Sequence, residues 1–389
     1  MPVRLRLHAA AAVFLGLAAA LALTMLGVLT SNGAEAANTQ PKCGDTITAD
    51  TRLDGDLVDC PNNGIVIGAD DITLDLNGHR IDGDGTPAAG CNPRKEPCDN
   101  GVFNDGHDGV TVERGSLRDF AIGVFVVGAR NDRVLDVSSK QNEFFGFTFS
   151  NAARGLIRDS SGSDNIAPEG DGMGVFGSHD LRIVDNTFRN NPGPGIHLAD
   201  SPDNLLRGNR FSHSSPGILM EADRNRVRRN RFDRNDGGII VSGRRNVIER
   251  NRLFRDGHGI GIEKGRRNLV ARNLVINPRG RGISLGLDFG DGTSIGGVDN
   301  IVRRNEVRGS AGDAFLVNAG GHNLLKRNVA SGAKEDGFDV ESRSTKLTKN
   351  RARRNADLGI DAVQGATDGG GNRARGNGDA RQCVNVKCH

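Results

Sequence analysis

Between residues 43 and 382 the apolar positions fall in short runs that alternate with polar ones, each run broken by Gly, Asn, Asp or Ser. Period-two alternation sends successive side chains to opposite faces, so each run predicts a short β-strand. No segment here sustains a 3.6-residue apolar period, which argues against a repeat containing helices. The runs recur in phrases. NLLRGN, NRVRRN, NVIERN, NLVARN, NIVRRN, NLLKRN, TKLTKN and NRARGN close at Asn209, Asn230, Asn251, Asn273, Asn305, Asn328, Asn350 and Asn377. GIHL, GILM, GIIV, GIGI, GISL, AFLV, GFDV and GIDA are interleaved with them and start at Gly195, Gly217, Gly238, Gly259, Gly282, Ala314, Gly337 and Gly359. Earlier copies at Gly123, Gly146 and Gly172 hold the same register, and most steps are 21 to 23 residues. Three short strands per unit, stacked unit on unit, predict an all-β fold: a right-handed parallel β-helix with coils of about 21–23 residues. Leucine-rich repeats share that period, but their leucine spacing is not matched.

The recurring Asn is expected at a corner in the left-handed backbone region, which Asn tolerates better than other non-glycine residues. Coils stacked about 4.8 Å apart would let its amides bond from coil to coil. Alternation also assigns faces. In GIHL the Ile and Leu point inward and His197 outward, which puts Phe125, Thr148, Gly174, Leu219, Ile240, Gly261, Ser284, Leu316, Asp339 and Asp361 in one outward row. Two residues on, a parallel row includes Phe176, Glu221, Ser242, Glu263, Asn318 and Glu341; just before the strand, a third includes Asp171, His258, Arg281, Asp313 and Asp336.

The ends and the composition set the compartment. Arg4 and Arg6, an apolar run from Ala9 to Thr30 and Ala34-Glu35-Ala36 read as a secretory signal over 1–36, with no stable membrane span once it is cleaved. Retention of the run as an anchor is the alternative. Residues 37–42 are a tail, 43–382 the solenoid with an N-terminal cap and a Cys-containing loop at 82–109, and 383–389 a Cys-containing tail. The six cysteines fit an oxidising compartment, outside the cell or in its envelope, and local pairing gives Cys43–Cys60, Cys91–Cys98 and Cys383–Cys388 among the 15 connectivities that six allow. Net charge is +3, with 42 of 51 basic residues being Arg. Trp and Tyr are absent, so only Phe can supply an aromatic platform for sugars, and no tyrosine acid or base is available. An exported chain without stacking Trp or Tyr is not expected to bind nucleic acid.

The opening block CGDTITADTRLDGDLVDC with GIVIGADDITLDLNGHRIDGDG, together with the two repeat phrases, resembles secreted right-handed β-helix proteins of the pectate-lyase-like superfamily, closest to its NosD-type, carbohydrate-binding and sugar-hydrolase group. The resemblance covers residues 43 to 382. It implies the fold and an active face along the outer side of the GI-x-[IVL] strands, but no single activity; a monomer is expected. Within RDGHGIGIEKG, Gly257-His258-Gly259 is similar to the Gly-His-Gly of pectin hydrolases. The preceding coils, SSPGILM and NDGGIIV, lack the Asn-Thr-Asp and paired Asp of those enzymes, and Arg281-Gly282-Ile283 stands where Arg-x-Lys belongs. His258 next to Arg281 is what remains.

On that face His258, Arg281, Asp313 and Asp336 come from four successive coils and are the candidate catalytic residues. His197, Glu221, Glu263, Asp339, Glu341 and Asp361 are candidate substrate contacts. Carboxylates on adjacent or alternate coils fall near the ~5–9.5 Å separations of glycosidases, and an Arg beside them suits a uronate or serves as the base of a lyase. The insertion 286–300 is a candidate wall. The expected function is action on, or binding of, an acidic uronate-type polysaccharide as lyase or glycoside hydrolase; the alternative is a non-catalytic solenoid binding glycan or protein. Loop acids at Asp82, Asp84, Asp288, Asp291 and Asp368 make calcium a candidate cofactor. The stripe Arg229, Arg250, Arg272, Arg304, Arg327 and Lys349 either tracks a polyanion or is a solvated, partly Asp-paired surface. Copper handling finds no Met or Cys cluster beside the scattered histidines.

Overall fold

The computed structural model describes residues 40–86, 90, 98–288 and 294–389, so the segment read as a signal, residues 1–36, lies outside it. Every regular element among the described residues is a β-strand, and among those same residues no helix is long and apolar enough to cross a membrane. One coil shows how the sequence builds the whole. Gly237–Val241 forms a strand, Arg245 turns the chain, Val247–Glu249 forms the second strand, Arg250 turns it again, Arg252–Phe254 forms the third, and Arg255 returns it to His258–Ile262. Each strand pairs in parallel with its counterpart one coil on. The first strands make a fourteen-stranded parallel sheet, sheet 1, running from Asp45–Ile47 to Ile360–Ala362. The second and third strands make sheets 2 and 3, which run together only where Thr111–Arg118 and Arg133–Lys140 pass through both. Period-two alternation appears here as one inward residue in each short strand, such as Ile248 and Leu253, both fully buried.

The core is a set of columns. Phe188, Phe211 and Phe232 stack with ring centroids 5.5 and 4.7 Å apart, and Phe315 stacks on Phe338 at 4.6 Å. Parallel register makes these columns unavoidable, since the same inward position recurs every coil.

The corners correct one expectation. The ladder asparagines do not occupy the left-handed region; the residue before each one does. Arg229, Arg250, Arg272, Arg304, Arg327 and Lys349 all have φ between 56° and 58°. Asn230, Asn251 and their equivalents are buried, and their side chains span three coils: Asn251 Oδ1 accepts from the backbone N–H of Asn230 at 2.9 Å and from its Nδ2 at 3.1 Å. Asn251 Nδ2 donates to Asn273 Oδ1 at 3.0 Å and to the Val227 carbonyl at 2.9 Å. A left-handed turn aims backbone N–H groups of the next residue into the core, and a buried amide satisfies them. The same device occupies all three corners. Asn204, Asn225, Asn246, Asn268, Asn300 and Asn323 line the first, and Asn235 with Asp256 belongs to the third. Asn377 belongs to that third corner, bonded to Asn355, whereas Asn372 is the partner of Asn350, so the last phrase is offset by one corner from the others.

Cys43–Cys60 and Cys383–Cys388 close the two ends of the solenoid; Cys91 lies outside the described residues. Within 82–109, residues Asn100–Asp105 form a regular strand of sheet 1. The insertion after sheet-1 strand Ile283–Leu285 leaves the coil as an antiparallel pair, Leu287–Asp288 with Ser294–Ile295.

Candidate functional site on the outer face of sheet 1

The register reproduces the first outward row: Gly174, His197, Leu219, Ile240, Gly261, Ser284, Leu316, Asp339 and Asp361 are successive partners. Leu316, at 2% exposure, is buried although its position faces outward, as are Gly174 and Thr148 earlier in the row. Along this face the candidate residues separate into two groups. His197 and Asp339 lie six coil steps apart, about 29 Å at the usual strand spacing.

The downstream group is a stacked column. Arg281 donates its backbone N–H to His258 Nδ1 at 3.3 Å, which leaves the ring proton on Nε2. Burial, then the guanidinium groups of Arg281 and Arg279, hold the His258 pKa below its ordinary value, so the ring is neutral. Gly280 gives the ring its place, because a Cβ there would stand 2.6 Å from His258 Cε1. Further along, Asp313 Oδ1 accepts the Asp336 backbone N–H at 3.0 Å, and Asp336 Oδ1 accepts that of Leu358 at 2.7 Å. His258, Arg281, Asp313 and Asp336 therefore do come together in sequence along the column, but each carboxylate uses one oxygen to hold the next coil.

Asp339 differs. It stands in the neighbouring outward row and has no side-chain hydrogen bond among the described residues. Burial raises its pKa to about 7, reinforced by the charges of Asp313, Glu341, Asp336 and Asp361. Asp336 is raised to about 6 and Asp313 is raised too, each mainly by burial. Near neutral pH this patch holds protonated and ionised carboxyls side by side, with Asp361 one coil beyond Asp339.

The upstream group centres on His197 and includes a residue that sequence reasoning left out. Asp171, 3% exposed, lies 3.7 Å from His197 Nδ1, and Glu221 lies 3.4 Å from its Nε2. The Asp171 contact is the main cause of a raised His197 pKa; burial lifts Asp171 to about 6. The signal was available, since Asp171 heads the third row one coil before His197. Glu263 joins from two coils on, its pKa raised by burial, with Ser242 Oγ 3.5 Å away. Phe176 meets the His197 ring edge-on at 5.6 Å and Phe145 at 5.8 Å. Both rings close over Gly174, where any Cβ would stand 2.5 Å from Phe176. With Phe103 and Phe125, 5.8 Å apart, they make an aromatic strip leading to His197.

Three of the calcium candidates are otherwise engaged: Asp82 pairs with Arg118 at 2.6 Å, Asp84 accepts the Thr86 N–H, and Asp368 accepts those of Gly370 and Lys387. Among the described residues no group of three or more His, Cys, Asp or Glu is placed to hold a metal ion, and Asp291 lies outside them. None of the six stripe cations is ion-paired among the described residues, in contrast to a partly Asp-paired stripe.

A coil of three parallel strands, with apolar columns inside and outward rows on the faces, defines a parallel β-helix protein. The chain belongs to the family described as right handed beta helix region, which it matches over residues 59–211, 100–241 and 169–290. A search of curated proteins by sequence gave no match. Among solved structures it is similar to the catalytic domain of a GH87 α-1,3-glucanase bound to nigerose, at 12% identity and a TM-score of 0.56, over 79% of this chain and 61% of that one. The chain thus spans about three fifths of that domain's length. It is also similar to the A-module of a mannuronan C-5 epimerase from Azotobacter vinelandii (13% identity, TM-score 0.43, 84% and 79% covered) and to a surface adhesin of Streptococcus pneumoniae (13%, 0.47, 76% and 81%). At these identities the likeness is one of fold.

Proposed function

We propose that the protein is an exported polysaccharide-acting β-helix that lays a sugar chain along the outer face of sheet 1 and cleaves it over the downstream acids. Asp339 carries this reading. It is a half-buried carboxyl with a pKa of about 7 and no hydrogen-bond partner among the described residues, so near neutral pH it holds a proton free to pass to a leaving oxygen. Asp361, about one strand spacing away, is the carboxylate to oppose it, a separation near the ~5–5.5 Å of retaining glycosidases. Asp313 and Asp336 keep the proton on Asp339 by their charge. His258 and Arg281 sit beside the acids where a uronate carboxylate would be received; Arg281 makes no ion pair among the described residues, though its charge acts on Asp313. The GH87 enzyme acts on a neutral glucan, so neutral and acidic chains both belong in the assay.

A second reading, glycan binding without turnover, is favoured by the aromatic strip. Phe125, Phe145 and Phe176, partly exposed, offer ring faces and edges of the kind sugars pack against, 20 Å or more from the acids by a rough count of coils. The test is incubation with pectate, alginate, glycosaminoglycans and α-1,3-glucan, following reducing ends and unsaturated products. Turnover should fall at least about 100-fold in Asp339→Asn, and its pH profile should lose the limb near 7. No turnover on the panel, or turnover indifferent to Asp339→Asn and Asp336→Asn, would sink the enzymatic reading; loss of glycan binding in Phe176→Ala alone would then support the second.

A further inference from the structure

We infer that the corner between sheets 2 and 3 is a second, independent binding surface, a cation track for a linear acidic polysaccharide. Arg229, Arg250, Arg272, Arg304, Arg327 and Lys349 occupy this corner in six consecutive coils, all exposed. Their order is fixed by the backbone: the N–H of Arg250 bonds to Ala271 O at 3.1 Å, that of Arg272 to Arg303 O at 3.1 Å, and that of Lys349 to Gly370 O at 3.0 Å. Successive cations therefore repeat at about 4.8 Å, well inside a Debye length of about 8 Å, so their fields add.

Backbone preference does not explain these cations. The left-handed region favours Gly, Asn and Asp, and the upstream coils use them at this very corner: Asp136, Asp159, Asp185 and Gly208. From Arg229 onward the chain places long cations there instead. Nor are they neutralised. At the other two corners some of the left-handed arginines are paired, Arg224 with Asp203 at 2.7 Å, Arg267 with Asp299 at 3.6 Å and Arg234 with Asp233 at 3.8 Å, whereas Arg245, Arg255 and Arg354 have no ion pair among the described residues; only at this corner is every cation of the run unpaired. The six have no such partner among the described residues. The track then opens into a groove of about 620 Å³ whose lining includes Arg351, Arg353, Arg373 and Arg375, two arginine pairs in register on adjacent coils and without ion pairs among the described residues; the one acidic side chain lining it, Glu306, is paired with Arg308 at 2.7 Å.

Unpaired charges at a fixed repeat fit a chain that carries anions at a similar repeat, and its binding would release counterions from both. Single-stranded nucleic acid also has such a repeat, but its bases need exposed rings. Phe254, on the outer column of sheet 3, is covered by the Arg231 guanidinium at 5.1 Å. The surface offers charge without stacking, which favours a uronate or sulfated glycan.

The experiment measures binding of fluorescent polygalacturonate and heparin oligosaccharides to the protein over a salt series, with oligo(dT) as the nucleic-acid probe. Contact with six cations predicts a slope of log affinity against log salt of about −4, at roughly 0.7 per contact. Arg250→Asn, Arg272→Asn and Arg304→Asn combined keep the left-handed turn while removing three charges, and should weaken binding at least tenfold and reduce the slope by about 2. The corresponding triple Lys variant should bind like the parent. Asp339→Asn touches no cation of the track, so the salt slope should stay at about −4 where sheet-1 turnover is lost, and failure of the track and failure of the sheet-1 site are separately visible. No glycan binding, binding unaffected by the triple Asn variant, or preference for oligo(dT) would overturn the inference.

Discussion

Arg250 and Asn251 are neighbours with opposite jobs, and substituting each by glycine separates them. Arg250 has φ 58° and an exposed side chain, so glycine relieves the steric cost of a left-handed residue, about 1–2 kcal/mol. The added freedom of the unfolded chain takes back about 0.4–1 kcal/mol. Arg250→Gly should therefore be neutral to about 1.6 kcal/mol more stable than the parent. Asn251→Gly removes the four side-chain hydrogen bonds that tie Asn230, Val227 and Asn273 together. Asn230 Nδ2 keeps the Leu206 carbonyl, and Asn273 Oδ1 keeps the Asn251 backbone N–H. The Asn230 N–H and the Val227 carbonyl lose these partners in a buried site, at about 1–3 kcal/mol each, so the expected loss is about 2–6 kcal/mol. Urea unfolding followed by far-ultraviolet circular dichroism gives the two shifts. Because a solenoid opens by neighbouring units, amide exchange at Asn230 gives the local value directly and should accelerate only in Asn251→Gly. If Asn251→Gly proves neutral while Arg250→Gly is costly, the placement of the left-handed residue is wrong and the ladder argument falls with it.

Two further outcomes follow from the core. Asp256 occupies an asparagine position in the third-corner ladder, is 1% exposed, and has its pKa raised from 3.8 to about 7 by burial. The raised value means the folded state holds its proton more tightly, so the stabilisation is complete below pH 3.8 and is lost as pH rises through about 7. Asp256→Asn should match the parent near pH 4 and exceed it by several degrees in Tm at pH 8; a constant difference across that range would refute the linkage. Phe211, stacked between Phe188 and Phe232, should cost about 3–5 kcal/mol as Phe211→Ala. A loss under about 1 kcal/mol in urea unfolding would mean that the column repacks.

The sequence by itself determined the solenoid, because alternation and a 21-to-23-residue period are local properties that any stacked coil must display. It also assigned the outward row, since His197, Leu219, Ile240 and Gly261 follow from the parity of GI-x-[IVL] alone. Three things needed the tertiary structure. Which corner residue turns left-handed depends on where the next coil's carbonyls lie, and the phrase RN does not say whether Arg250 or Asn251 makes the turn. The shared ladder of three corners, with Asn377 under Asn355, depends on coil-to-coil register rather than on the phrase that contains it. The roles of the acids were hidden for the same reason. Asp313, Asp336 and Asp339 are alike in sequence, yet two of them hold backbone N–H groups of the next coil and the third has its pKa raised to about 7, because its burial, and the charges of Asp313 and Asp361 that add to those of its own coil, are set by the stacking of coils.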